Sequence, residues 1–211
     1  MKESEYSVME RAKRQNTGGN PKGASETLED YLKKNPHNTK PRILLANIYI
    51  YSLDMFDFGI FQLEAVLDIE PDNTDALKAM VTALGSQKKH NKETYEYYRR
   101  LMELDSSAEV LESFARFLRM QLLEFRASAE YYVKAIEADP KNVGYRINYS
   151  SLLLNDLREY EEAKRQMEII MAMDPENYNV RKNLTKLMKD HFDENGNLKK
   201  GFLHRPRKRS R

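Results

Sequence analysis

The 211 residues carry 35 Lys or Arg against 33 Asp or Glu, a net charge of +2, with 40% apolar residues and a mean hydropathy of −0.78. That apolar share suits a soluble core, and no run of about 18 apolar residues is present to cross a membrane. The absence of Cys excludes disulfides and thiolate metal sites, and the charged opening MKESEYSVMERAKRQ has no secretory h-region, so a cytoplasmic placement is expected, or a nuclear one in a eukaryote.

The first unit, about residues 4–38, holds a charged helical stretch, the break NTGGNP and a second apolar stripe that ends at NPHN. Thr17–Asn20 lacks the Lys and the strand of a phosphate loop and reads as an inter-helix turn. The second unit, 39–73, is the clearest: Ile43, Leu44, Ala46, Ile48 and Ile50 form one helix, and Ile60, Leu63, Val66 and Leu67 another, before EPDN. The third, 74–107, breaks at KKHN and has LDSS where the marker should stand. The fourth and fifth, 108–142 and 143–177, break at QLLE and NDLRE and end at DPKN and DPEN. In the four units other than the third, proline stops the second helix, because it lacks an N–H and disfavours helix at the residue before it.

Internal columns fix the register at 34 to 35 residues. A small residue, at most Thr-sized, stands twelve before each marker: Ala24, Gly59, Thr94, Ser128 and Ala163. Four residues later comes a bulky one: Leu28, Leu63, Tyr98, Tyr132 and Met167. Three residues before the small position, Phe56, Phe125 and Tyr160 form an aromatic column that Pro21 and Asn91 break. The physical cause is close approach of two helix backbones, which excludes a large side chain, while a spacing of four keeps both columns on one face. After DPEN, Val180, Leu184, Leu187 and Met188 form a single stripe backed by polar residues, as a terminal capping helix over 178–190 requires.

This pattern resembles the tetratricopeptide repeat family, whose signature includes A-x₃-F and a later Pro. Here those are Ala24/Leu28/Pro36, Gly59/Leu63/Pro71, Ser128/Tyr132/Pro140 and Ala163/Met167/Pro175, with a degenerate Thr94/Tyr98/Ser106. The family's tryptophan is absent, and the small–large pair of the first helices is loose. The resemblance implies an all-α, right-handed helical-repeat solenoid of five antiparallel helix pairs plus a C-terminal capping helix. It also implies that the first helices line a concave groove that grips a peptide or helix. Carried over, that lining is Leu44, Ile48 and Tyr51, then Lys78 and Thr82, then Glu112, Arg116 and Arg119, then Tyr145, Asn148 and Tyr149. Leu44 and Ile48 equally fit a plain packing role. The carboxylate clamp of the family's chaperone-binding subgroup is not matched: one register offers Met9, Lys13, Leu45, Asp75 and Ala79, and two others fail likewise.

No chemistry is visible. His37, His90, His191 and His204 follow no ligand spacing, and the carboxylates sit on charged helical faces without a nucleophile, base and orienter together. DENGN lacks the glycine that a calcium loop needs after Asn197 and reads as a turn with its tip at Asn195–Gly196. Catalytic residues, metal and cofactors are all expected to be none. Met167, Met171, Met173 and Met188 fit core packing better than an adaptable binding surface.

The charge is unevenly placed. Residues 199–211 hold seven Lys or Arg and no acid, and the preceding 198 residues carry 28 cations against 33 acids, a balance of −5. The segment 191–211 is expected to be a basic, disordered tail. Its Lys199, Lys200, Arg205, Arg207, Lys208, Arg209 and Arg211 suit a phosphate backbone, an acidic protein surface or an import receptor. The leading expectation is a non-enzymatic protein-interaction scaffold or adaptor, with a peptide or helix of a protein partner in the groove. The alternative is a ribonucleoprotein-associated factor whose tail contacts RNA. Oligomeric state is not legible.

Overall fold

A computed structural model describes residues 4–85 and 87–199. Among them are eleven α-helices: α1 (Glu5–Thr17), α2 (Pro21–Lys34), α3 (Thr39–Tyr51), α4 (Phe56–Ile69), α5 (Thr74–Leu84), α6 (Asn91–Leu104), α7 (Ala108–Phe117), α8 (Phe125–Ala138), α9 (Val143–Leu152), α10 (Tyr160–Met173) and α11 (Tyr178–His191). They form two compact units, one ending at Ser106 and the other beginning at Ser107. The first contains the pairs α1/α2, α3/α4 and α5/α6; the second contains α7/α8, α9/α10 and the last helix, α11, against α10. This is the all-α, paired-helix solenoid architecture.

The markers work as joints between pairs. Proline cannot extend the preceding helix, and the asparagine two residues on caps the next one. Asn73 accepts from the Ala76 N–H at 2.9 Å, Asn142 from Gly144 at 3.0 Å and Asn177 from Val180 at 3.2 Å. Asn38 differs: its amide donates to Glu5 at 2.6 Å and to the Tyr31 hydroxyl at 3.0 Å. Each side-chain cap satisfies one of the amide groups that a helix start leaves without an intrahelical partner.

The small column lies where paired backbones meet. Ala24, Thr94, Ser128 and Ala163 are fully buried and Gly59 is buried. A Cβ on Gly59 would sit 2.3 Å from Ile50 Cγ1 and 2.8 Å from the Ala46 carbonyl oxygen. Ser128 donates its hydroxyl to the Ala115 carbonyl at 2.7 Å. Its partners form a column in the first helices, Ala46, Ala115 and Ser150, thirteen residues before the small position and buried in each case. The bulky column, Leu28, Leu63, Tyr98, Tyr132 and Met167, is buried beside it. Met167 is in the core, Met171 and Met188 pack against it, and Met173 is exposed.

A second regularity lies in the turns inside the pairs. Gly19, Asp54, Leu123 and Arg158 all have φ between 54° and 82°, and each stands five residues before the small position. The next amide reaches back across the turn: Met55 to the Tyr49 carbonyl at 2.8 Å, Glu124 to Leu118 at 2.9 Å and Glu159 to Leu153 at 2.9 Å. Two of these turns pass through a π-helical turn, Leu118–Leu122 and Leu153–Leu157. A side chain at positive φ costs about 1–2 kcal/mol. Leu123 is 64% exposed, so its side chain contributes little burial in return. Leu123→Gly is therefore expected to stabilise the protein by up to about 1 kcal/mol after the extra freedom of glycine in the unfolded chain is subtracted. A thermal melt checks this: an unchanged or lowered Tm contradicts it.

The expectation of a disordered tail from residue 191 does not hold for 191–199. Phe192 and Leu198 form an antiparallel bridge, and the Asp193 N–H donates to the Asn197 carbonyl at 2.8 Å. Asp193 Oδ1 accepts from the Asn195 and Asn197 amides, both at 2.9 Å, and Gly196 takes φ 79° at the tip. Phe192 is 4% exposed in the core, under the Lys164 ammonium 5.0 Å from its ring. Two apolar residues, Phe192 and Leu198, dock the turn; burial of such side chains is what the sequence reading lacked. Residues 200–211, to which the disorder expectation also applied, lie outside the described residues.

His191 stacks on Tyr160 with ring centroids 3.9 Å apart. Burial holds its pKa below the usual 6.5; Asp190 opposes this and Lys199 adds to it. The fold thus favours neutral His191, and the unfolded chain binds the proton first. The stability contributed is complete above 6.5 and is lost as the pH falls through 6.5 towards the folded value. A histidine titration by NMR should place His191 below 6.5, with the Lys199 amide exchanging faster, relative to its intrinsic rate, on the acid side. A value at or above 6.5 overturns the assignment.

Candidate partner-binding faces on the first helices

In the compact half that ends at Ser106 the residues expected to line a groove separate by burial. Ile48 is 2% exposed and belongs to the core with Val8, Leu28 and Leu45, and Leu44 packs half-buried against the same cluster. Ile48 is therefore corrected from lining to core. Tyr51, one turn on at the end of α3, is 60% exposed. Lys78 on α5 pairs with Asp105 at 2.7 Å, and Thr82 donates to the Lys78 carbonyl at 2.7 Å. Such a hydroxyl satisfies its own helix first.

In the compact half that begins at Ser107 the expected residues meet each other. Asn148 on α9 donates to Glu112 on α7 at 2.9 Å. Glu112 is only 8% exposed, so its carboxylate requires such partners. Arg116, one turn further along, approaches its other oxygen at 3.8 Å while its own side chain stays 61% exposed. Arg119, in the π-helical turn after α7, bonds Asp156 of the equivalent turn after α9 at 2.7 Å and Ser151 of α9 itself at 3.2 Å. These pairs tie one first helix to the next and hold Glu112 and Arg119 in place.

Two aromatic residues were assigned to the same face. Tyr145 is half-buried against the core. Tyr149 is 8% exposed, packs 6.3 Å from the Tyr132 ring and lines a cleft of about 430 Å³ with Val133, Ile136 and Glu162. It thus points between the second helices α8 and α10. Burial raises its phenol pKa, with Glu162 and Glu159 adding to the effect. Tyr132 beneath Glu112 and Arg119 is pushed up to about 12, by burial first and by Glu112 next. Tyr149 is corrected from ligand contact to core, because one helical position decides which neighbour a side chain meets.

The sequence does not mark the cleft, since Val133 and Glu137 fall in none of the repeat columns. Of the basic segment, Lys199 alone is described; its N–H donates to the His191 carbonyl at 2.9 Å and its ammonium to the Lys189 carbonyl at 2.6 Å. Lys200, Arg205, Arg207, Lys208, Arg209 and Arg211 lie outside the described residues. Among the described residues no group of three or more His, Asp or Glu could hold a metal ion, and no helix is long and apolar enough to cross a membrane.

By structure the chain is similar to a tetratricopeptide repeat protein from Parabacteroides merdae, with a TM-score of 0.71, 16% identity, and coverage of 87% of this chain and 72% of that one. It is similar to PilF of Pseudomonas aeruginosa, with a TM-score of 0.69, 17% identity, and coverage of 87% and 82%. It is also similar to YrrB, described as a tetratricopeptide repeat protein with an unusual peptide-binding site, with a TM-score of 0.62, 16% identity, and coverage of 78% and 84%. No family model matches the sequence, and no curated protein matches it. At these identities the likeness establishes the fold, which is that of the tetratricopeptide repeat.

Proposed function

From that fold, we propose that the chain is a non-enzymatic scaffold that holds a peptide or helix of a protein partner against the faces of its first helices. The observation that carries this reading is the ordered polar set of the second unit. Glu112 and Arg119 are fixed by Asn148 and Asp156, while the Arg116 guanidinium remains exposed beside them. Side chains already held in place lose less entropy when a partner binds. In the first unit, Tyr51 supplies an exposed aromatic anchor and Lys78 a half-exposed cation. Tyr and Arg are the residue types that most often dominate interface energy. The solved relative described as having a peptide-binding site supports a peptide as the ligand class.

The test is a partner recovered by pull-down from native lysate and then measured by calorimetry against variants. Tyr51→Ala and Arg116→Ala are each expected to weaken binding about tenfold or more, as truncated anchors do, with Tm nearly unchanged because Tyr51 is exposed and Asn148 still bonds Glu112. Lys134→Glu on α8 should leave affinity as it is. Equal losses from both sets would remove the first-helix faces as the site.

The seven cations of 199–211 support a second reading, an RNA contact by a ribonucleoprotein-associated factor. If all seven meet single-stranded phosphates, affinity should fall with salt at a log–log slope of about −5. A purified protein free of nucleic acid and showing a flat salt dependence ends that reading.

A further inference from the structure

The outward face of α4 consists of two residue types. Its exposed residues are Asp57, Phe58, Phe61, Glu64, Asp68 and Ile69, all acidic or apolar. Phe58 and Phe61 are 58% and 62% exposed and stand three residues apart, so they are neighbours on the helix surface. Phe58 is steadied from behind by the Tyr49 ring at 5.9 Å. Along the chain, residues 43–77 contain seven acids and neither Lys nor Arg; one cation that meets α4, Arg42, is held by Gln62 at 2.7 Å. Two adjacent exposed phenylalanines are costly to leave in water and mark an interaction surface. The surrounding carboxylates repel phosphate backbones and anionic lipid alike, so the occupant must be cationic and carry an apolar anchor.

The sequence contains a segment of that composition. Residues 200–211 hold six Lys or Arg and no acid, and Phe202 and Leu203 are their only large apolar residues. The acidic face and the root of this segment, Lys199, belong to different compact units of the chain. Two complementary but different surfaces on one protomer join copies head to tail. We propose that the outward face of α4 is a docking site for the basic segment 200–211 of a second copy of this chain. Phe202 and Leu203 pack on Phe58 and Phe61, and the cations meet Asp57, Glu64 and Asp68. This face is separate from the first-helix residues that serve the proposed scaffold function.

The experiment places a photoreactive p-benzoylphenylalanine at position 202 of the full chain. Irradiation is expected to give a species of twice the mass, with the cross-link mapped to α4 around Phe58 and Phe61. Removing three carboxylates with D57N, E64Q and D68N should lower its yield about tenfold, since three exposed ion pairs are lost together. Phe58→Ala with Phe61→Ala should lower the yield as well, while circular dichroism and Tm stay unchanged because both rings are exposed. A cross-link within one chain overturns the second-copy assignment. A cross-link elsewhere, or one indifferent to both sets of α4 variants, overturns the site. So does polyuridylate binding the segment with no cross-linked dimer in its absence.

Discussion

Gly59→Leu is expected to lower stability by about 3 kcal/mol, at the upper end of overpacking costs. The reason is that the first added carbon already meets Ile50 at 2.3 Å and the Ala46 carbonyl at 2.8 Å. The Ile50 side chain has rotamers to retreat into, but the carbonyl belongs to the α3 backbone. The helices must therefore separate, and the burial of Leu63, Val66 and Leu67 along the same interface loosens with them. For a chain of this length the loss corresponds to a fall in Tm of about 6–12 °C. Ala163→Leu should follow the same direction with about 1–3 kcal/mol. A neutral melt for both would remove close backbone approach as the cause of the small column.

Tyr149→Ala should cost about 3–5 kcal/mol, the range for deleting a buried ring. Its side chain packs in the core beside Tyr132, Leu152 and Leu153 and closes the floor of the cleft along Val133 and Ile136. Tyr51→Ala, although drawn from the same expected lining, should change stability by no more than about 0.5 kcal/mol, because its ring is 60% exposed. Parallel denaturant melts make the comparison direct. If Tyr149→Ala is silent and Tyr51→Ala is not, the two positions have been assigned to the wrong sides of the fold.

Much of the candidate site could be read as composition but not as geometry. Glu112, Arg119 and Asn148 were recognisable as polar residues on first helices; that Asn148 bonds Glu112, and that Arg119 bonds Asp156 of the neighbouring turn, depends on how α7 and α9 stack. The outward face of α4 is not marked in the sequence, because Phe58 and Phe61 fall in none of the small, bulky or aromatic columns of the repeat.

By itself the sequence determined the helices, their pairing and the repeat length. Those properties are local or periodic: proline beyond the last turn blocks further extension of a helix, asparagine caps the helices that begin after Asn73, Asn142 and Asn177, and a small residue recurs where two backbones meet. Tertiary structure decided which face each helix buries. Ile48 and Tyr51 lie three residues apart, yet one is enclosed by α1, α2 and α3 and the other faces water. It also decided the left-handed residues Leu123 and Arg158, which no side-chain preference would select. The turn must return the chain to its partner helix, and the backbone takes positive φ there because packing of the pair outweighs the local cost.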